Sequence, residues 1–185
     1  IARALGCDFT ARGVSIVNVG HTGLFRYARV FQGVGGKHVP VPVACIGDRD
    51  IPPDIAKSDL YPKKHRPKKT DSDYSDEDKE KREATIRKPE GGFVKVYISP
   101  HWTLEHDLAL GGLAAELHRA TWLARAPAGK TQEQVISKAD AQIAKWEEAD
   151  ESIEKIAARI YLPMKKGTVS KAQVAEQLAW LIESD

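Results

Sequence analysis

Three short stretches of the sequence carry side chains whose types and spacing can do chemistry. In VPVACIGDRD, residues 41–50, the apolar run of Val41, Val43, Ala44, Cys45 and Ile46 ends in Gly47, Asp48, Arg49 and Asp50. Alternate residues of an extended chain face opposite ways, but where a strand ends the chain turns, and both carboxylates can converge on a hard cation. Mg2+ suits such a pair, because it keeps several of its waters and needs only one or two carboxylates. The plainer reading is a turn, since Gly and Asp are turn formers.

The second stretch is TLEHDL, residues 103–108, which follows another apolar run. Thr103 is placed to cap a helix, and Glu105 and Asp107 fall in its first turn, where the helix dipole favours negative charge. That is a sufficient structural reason for both acids. A third carboxylate at the same sheet edge as Asp48 and Asp50 would also let two divalent ions share ligands ~4 Å apart. The third stretch, VSKAQVAEQLA at residues 169–179, puts Lys171 in a first helical turn, with Lys166 just before it. A cation is locally unfavourable there. It is either solvated surface or part of a phosphate site made with the free N–H groups of the helix start. His21, His101 and His106 also lie near predicted strand ends and serve at most to orient ligands.

The elements that must position these groups follow from hydrophobic spacing. Residues 1–6 read as the end of a helix closed by Gly6. Residues 13–20, GVSIVNVG, read as a short strand buried on both faces. Leu24, Tyr27, Ala28 and Phe31 form one stripe of a helix, and residues 41–46 form a second buried strand with Pro42 near its beginning. Two strands flanking a helix make a parallel crossover unit. Phe93, Val94, Val96, Tyr97 and Ile98 propose a third strand. Leu104, Leu108, Leu113 and Leu117 then support a helix broken at Gly111 and Gly112. Thr131 and Gln134 have capping-box spacing for a second, with Val135, Ala139, Ile143 and Trp146 inward. Ile153, Ile156 and Ile160 mark a third that stops before Pro163, and Ser170 with Gln173 caps a fourth carrying Val174, Leu178 and Leu181. Trp102, Trp122, Trp146 and Trp180 fall on core positions.

Between residues 62 and 91 the texture changes. Five of the seven residues from Lys63 to Lys69 are Lys or Arg, and an acidic run from Asp71 to Asp78 follows. Almost nothing there is apolar, so the expectation is a mobile charged insertion. The basic tract suits nuclear targeting or nucleic-acid contact, but its acidic neighbour largely neutralises it, which favours a solvated linker.

Composition bounds the rest. With 185 residues and a formal net charge of +2, the chain is long enough for one domain with an appendage and does not grip a polyanion by bulk charge. The two cysteines, Cys7 and Cys45, make no disulfide framework or zinc-ligand spacing, and no apolar stretch approaches the ~20 residues of a membrane span. Cytoplasmic residence without a membrane partner is the inference. The chain starts without Met, as expected of a piece of a larger open reading frame.

A strand ending in D-x-D, a later TLE element and a Lys-containing VSKA helix together resemble the Toprim region of the OLD-family nucleases, the ATPase-linked endonucleases named for overcoming lysogenisation defect. The matching stretches are GVSIVNVGHTGLFRYARVF, PVACIGDRD, YISPHWTLEHDLAL and VSKAQVAEQLA, in the family's order, and the charged insertion resembles its class 2. The resemblance implies an α/β fold, with a small Toprim-like parallel sheet flanked by helices, a C-terminal helical subdomain and a flexible charged insertion. Residues 1–61 and 92–125 would form the two parts of the Toprim core, residues 62–91 the insertion, and residues 126–185 the helical subdomain. The family's Glu-Gly strand and its ABC-type ATPase domain, with its GxxxxGK[ST] motif, would belong to the remainder of the protein.

The resemblance further implies a DNA endonuclease using two Mg2+ or Mn2+ ions. Asp48, Asp50 and Glu105 would hold the metal and Lys171 would stabilise charge on the scissile phosphate, with Asp107 and Lys166 as secondary candidates and a homodimer as the working form. Two other classes compete. One is a nucleic-acid-binding or regulatory module without catalysis, recognisable by a steep salt dependence and no divalent-ion requirement. The other is a D-x-D phosphatase or phosphotransferase with Asp48 as nucleophile.

Overall fold

The computed structural model describes residues 6–19, 24–32 and 39–184. The chain separates into two compact units. One comprises Ser15–Pro53 and Lys69–Leu104, the other Ile1–Val14, Asp54–Lys68 and Glu105–Asp185. We call them the sheet unit and the helical unit. The expected helix end at residues 1–5 lies outside the described residues.

In the sheet unit, β1 (Val43–Gly47) and β2 (Val94–Ile98) pair in parallel, with Val43 opposite Val94 and Gly47 opposite Ile98. The strand alternation is one-sided, which corrects the reading of residues 41–46 as a buried strand, since Val41 and Ile46 are exposed. Cys45, Val94 and Val96 are buried together with Ala28 of α1 (Leu24–Gln32), while Ile46 and Tyr97 face outward. Leu24 and Phe31 of the predicted helical stripe pack on this core, whereas Tyr27 is exposed. Burial raises the pKa of the Cys45 thiol. The α/β class and the small parallel sheet flanked by helices are therefore as expected.

The topology is not. Residues 14–19 form no strand, and Ile16 and Val17 are 77% and 75% exposed; Gly20 lies outside the described residues. A strand needs a ladder partner as well as apolar residues, and the partner of β1 is β2. The right-handed-crossover logic therefore applies to the connection from β1 to β2, which contains α2 (Asp76–Arg87), and not to α1.

That helix corrects the expectation of a structureless insertion. Its caps and pairs replace a hydrophobic stripe. Ser75 accepts the N–H of Asp78 at 3.1 Å, Asp76, Glu77 and Asp78 complement the helix dipole, and Lys81 with Glu77 and Arg87 with Glu83 are ion pairs one turn apart. Each device contributes only about 0.3–1 kcal/mol, so they must act together. The helix also finishes the sheet: Arg87 donates to the carbonyl of Val96 at 3.0 Å, and Glu90 accepts the Val96 N–H at 3.3 Å. Two side chains thereby occupy an edge of β2 that would otherwise be open to pairing.

The helical unit takes over from Glu105 of α3 (Leu104–Leu108), through a π-helical turn at Ala109–Leu113, to α4 (Ala114–Leu123), α5 (Gln132–Glu148), α6 (Ile153–Lys165) and α7 (Lys171–Ser184). The predicted break is present: Gly112 has φ 103°, a conformation that side-chain-bearing residues rarely adopt. Thr131 and Gln134 form the expected capping box of α5. Leu117 and Ala120 of α4 are buried in a core with Val135, Ala139 and Ile143 of α5 and Val174 and Leu178 of α7. Trp102 is buried but Trp180 is 39% exposed, which corrects its assignment to the core.

The prediction that the third helix stops before Pro163 is also corrected, since α6 runs through it to Lys165. Proline removes one helical donor near the end of the helix, and the burial of Ile160, Tyr161 and Met164 outweighs that loss. The Pro163 carbonyl is used as well, accepting from the N–H and the hydroxyl of Thr168, each at 3.0 Å. No described helix is long and apolar enough to cross a membrane.

His118, on α4, is 5% exposed, and its Nε2 accepts the indole N–H of Trp122 at 3.0 Å. Burial, helped by the nearby Arg125 charge, pushes its pKa down to about 4. A base that is harder to protonate when folded contributes stability that is fully present above the unfolded pKa of about 6.5 and is lost as the pH falls toward 4. Wild-type protein is therefore expected to lose on the order of 3 kcal/mol between pH 7 and pH 4 from this group. Denaturant titrations of the wild type and His118→Gln at both pH values check it, because the variant should lack that component.

Candidate active site

The D-x-D turn sits directly after β1, and the ladder continues past it through the Ser99 N–H, which donates to the Gly47 carbonyl at 2.9 Å. Asp50 has φ 58°, the left-handed region that Asp and Asn enter more readily than other side-chain-bearing residues. Such a conformation persists where its surroundings over-determine it. Here the Asp50 N–H donates to the Trp102 carbonyl at 3.0 Å and the Arg49 guanidinium to the Pro100 carbonyl at 2.9 Å. Arg82, on α2, donates to the carbonyls of Arg49 and Asp50 at 3.2 and 3.4 Å.

Asp48 has a structural task at the helix start that follows Thr103. Its Oδ1 accepts the Leu104 N–H at 2.9 Å, capping the start of α3 from a residue 56 positions away, while Thr103 is itself buried. Asp48 is half-buried and Asp50 exposed, so the turn offers hard oxygen donors at a wet strand end, a donor set that fits Mg2+ or Mn2+ with several waters retained.

Arg82 is the residue sequence reasoning missed. It lies in the segment read as a linker, and the signal that exposes it is the N-cap of α2, with Ser75 followed by three acids. Arg82→Ala is expected to cost about 1 kcal/mol, the worth of a partly exposed hydrogen-bonded pair of contacts. Faster amide exchange at Asp50 than in the wild type, by roughly five-fold, is the local readout of that loss.

The other candidates lie in the helical unit. Lys171 is the first residue of α7, and its Nζ is 3.0 Å from Glu105 Oε2; the two side chains are 45% and 19% exposed. The ammonium also lies 5.4 Å from the centroid of the Tyr161 ring. The cation that looked misplaced at a helix start is therefore balanced by a carboxylate and an aromatic face. A pair this exposed is worth about 0–1 kcal/mol, too little to be required for folding.

The secondary candidates are arranged differently. Asp107 is half-buried, with Oδ1 3.5 Å from Nδ1 of the buried His106. Lys166 is exposed at the end of α6, where its N–H donates to the Leu162 carbonyl. His101 is exposed, and His21 lies outside the described residues. Glu105 and Lys171 are thus brought together, and Asp48 and Asp50 share one turn. Among the described residues no three His, Cys, Asp or Glu side chains are gathered as a metal cluster.

No family model matches the chain, and no curated protein or solved structure matches it.

Proposed function

We propose that the chain is the nuclease region of a larger, cytoplasmic, dimeric ATPase-linked enzyme, built on a Toprim-like sheet and hydrolysing DNA phosphodiesters with Mg2+ or Mn2+. The observation that carries this reading is the Glu105–Lys171 pair. Two residues 66 positions apart, each singled out separately from the sequence, lie 3.0 Å from one another.

The chemistry needs carboxylates to hold cations and a mobile positive charge to meet the phosphate. Asp48 and Asp50 would supply ligands at the end of β1 in the sheet unit, and Glu105 would supply one in the helical unit, beside Lys171. The bound ions would lower the pKa of the attacking water and neutralise the leaving oxygen. Lys171 is held at the start of α7 by Glu105 until a phosphate oxygen competes for it, and the free N–H groups of that helix start add to the attraction for an anion. Arg82, through the carbonyls of Arg49 and Asp50, and Arg49, through that of Pro100, hold the backbone of the D-x-D turn.

The direct test is incubation of supercoiled plasmid with the protein and Mn2+ or Mg2+. Conversion to nicked or linear DNA that stops in EDTA supports the reading, and absence of cleavage with either ion opposes it.

One observation favours the non-catalytic module instead: the cap that Asp48 provides to Leu104 gives that acid a complete structural role. That reading predicts DNA binding with a steep salt slope that is unchanged by EDTA.

A further inference from the structure

The helical unit contains a second place where a ligand would be recognised, remote in chemistry from the carboxylates. A cleft of about 260 Å3 is walled by His118, Trp122, Arg125, Gln142 and Trp146. It is smaller than the ~300–1,000 Å3 of sites for drug-sized molecules, so it admits one flat ring. The Trp146 ring is 4.8 Å from that of His118 and tilted 58° to it.

His118 is the informative member. Its Nε2 accepts from Trp122, and an indole N–H is only ever a donor, so the neutral imidazole carries its proton on Nδ1. That atom is buried on a side chain 5% exposed and has no hydrogen-bond partner among the described residues. With its pKa held at about 4, the ring stays neutral and the tautomer is retained at physiological pH. A buried, unanswered N–H beside two indole rings calls for an acceptor on a ligand.

The surroundings state the ligand's charge. Trp122 and Arg125 are shared with a neighbouring depression of about 220 Å3 whose wall includes Lys130 and Lys138. No acidic side chain lines either depression among the described residues. Arg159, the remaining cation, is already held by Glu151 at 2.7 and 2.8 Å, whereas the Arg125 guanidinium lies 4.6 Å over the Trp122 ring. Aromatic faces alternating with cations on one surface suit a chain that alternates bases with phosphates. An acidic peptide would meet the cations but would bring no ring with an acceptor for Nδ1.

We propose that these paired depressions bind a single strand of nucleic acid, one base entering between His118, Trp122 and Trp146 and accepting the Nδ1–H, with adjoining phosphates on Arg125, Lys130 and Lys138. The inference shares only its class of partner with the nuclease reading, and it is tested without catalysis.

The 185-residue chain in EDTA is titrated with a fluorescent oligothymidylate, with the same strand carrying abasic sites, and with polyglutamate as competitor. The intact strand is expected to quench tryptophan fluorescence and to bind with a salt slope of about −2, from three phosphates on a single strand. Removing the bases should weaken binding between about five-fold and a hundred-fold. Lys130→Ala with Lys138→Ala, both at surface positions that folding does not need, should reduce the slope to about −0.7. Arg125→Ala should lower affinity several-fold. Equal affinity for the abasic strand, an unchanged slope in the double lysine variant, no binding at all, or displacement by polyglutamate as effective as by oligonucleotide would each overturn the proposal. Cleavage failing while this binding persists would count against the nuclease reading alone.

Discussion

Asp50→Asn is expected to lower divalent-dependent DNA cleavage by at least about a thousand-fold while leaving the fold as stable as the wild type. The residue's φ of 58° makes Asn the informative replacement, because Asn enters the left-handed region nearly as readily as Asp. The contacts that hold the turn are unaffected by the change, since the bonds to Trp102 and from Arg82 use the Asp50 backbone and not its carboxylate. Only charge and metal affinity change. Asp50→Ala removes the same charge and adds about 1 kcal/mol of backbone strain, so a defect seen in Ala but absent in Asn would be conformational. Full activity in Asp50→Asn means that the acid is a turn former and nothing more.

Lys171→Ala is expected to slow cleavage by about a hundred-fold to a thousand-fold, the usual cost of removing one group that meets developing charge. Its effect on unfolding should stay within about 1 kcal/mol, because the ion pair with Glu105 is partly solvated. Glu105→Gln provides the contrast. Both variants lose the pair, but only the glutamine should raise the Mn2+ concentration needed for half-maximal cleavage, since only it loses a proposed ligand. Lys171→Ala frees Glu105 and should leave that concentration unchanged or lower. Identical metal dependence in the two variants means that the pair serves structure.

Much of this arrangement was legible in the residues. The two strands at residues 43–47 and 94–98, the Thr131 capping box, and the glycine break before α4 are all local, and local rules recover them, though not which face of each strand is buried. What escaped was non-local. The run Val14–Val19 has strand composition, but pairing is decided by which segment supplies a ladder partner, and β2 supplies it to β1. Helix α2 escaped for the opposite reason: it has almost no apolar stripe and is held by caps, ion pairs and the edge of β2.

The candidate site divides in the same way. Sequence reasoning found Asp48, Asp50, Glu105 and Lys171 as individual charges. It missed that Asp48 caps a helix more than fifty residues away and that Arg82 secures the turn, because both facts depend on tertiary contact. Proline predicts a stop at Pro163 by a rule that holds for helices in solution; burial of the neighbouring residues overrides it here.

The central claim is that these carboxylates hold divalent cations, and the most direct test is anomalous scattering from crystals soaked in Mn2+. Ions are expected within about 2.0–2.4 Å of the Asp48 and Asp50 carboxylate oxygens, and lost there in Asp50→Asn. Manganese bound elsewhere in the crystal while those oxygens carry none would contradict it.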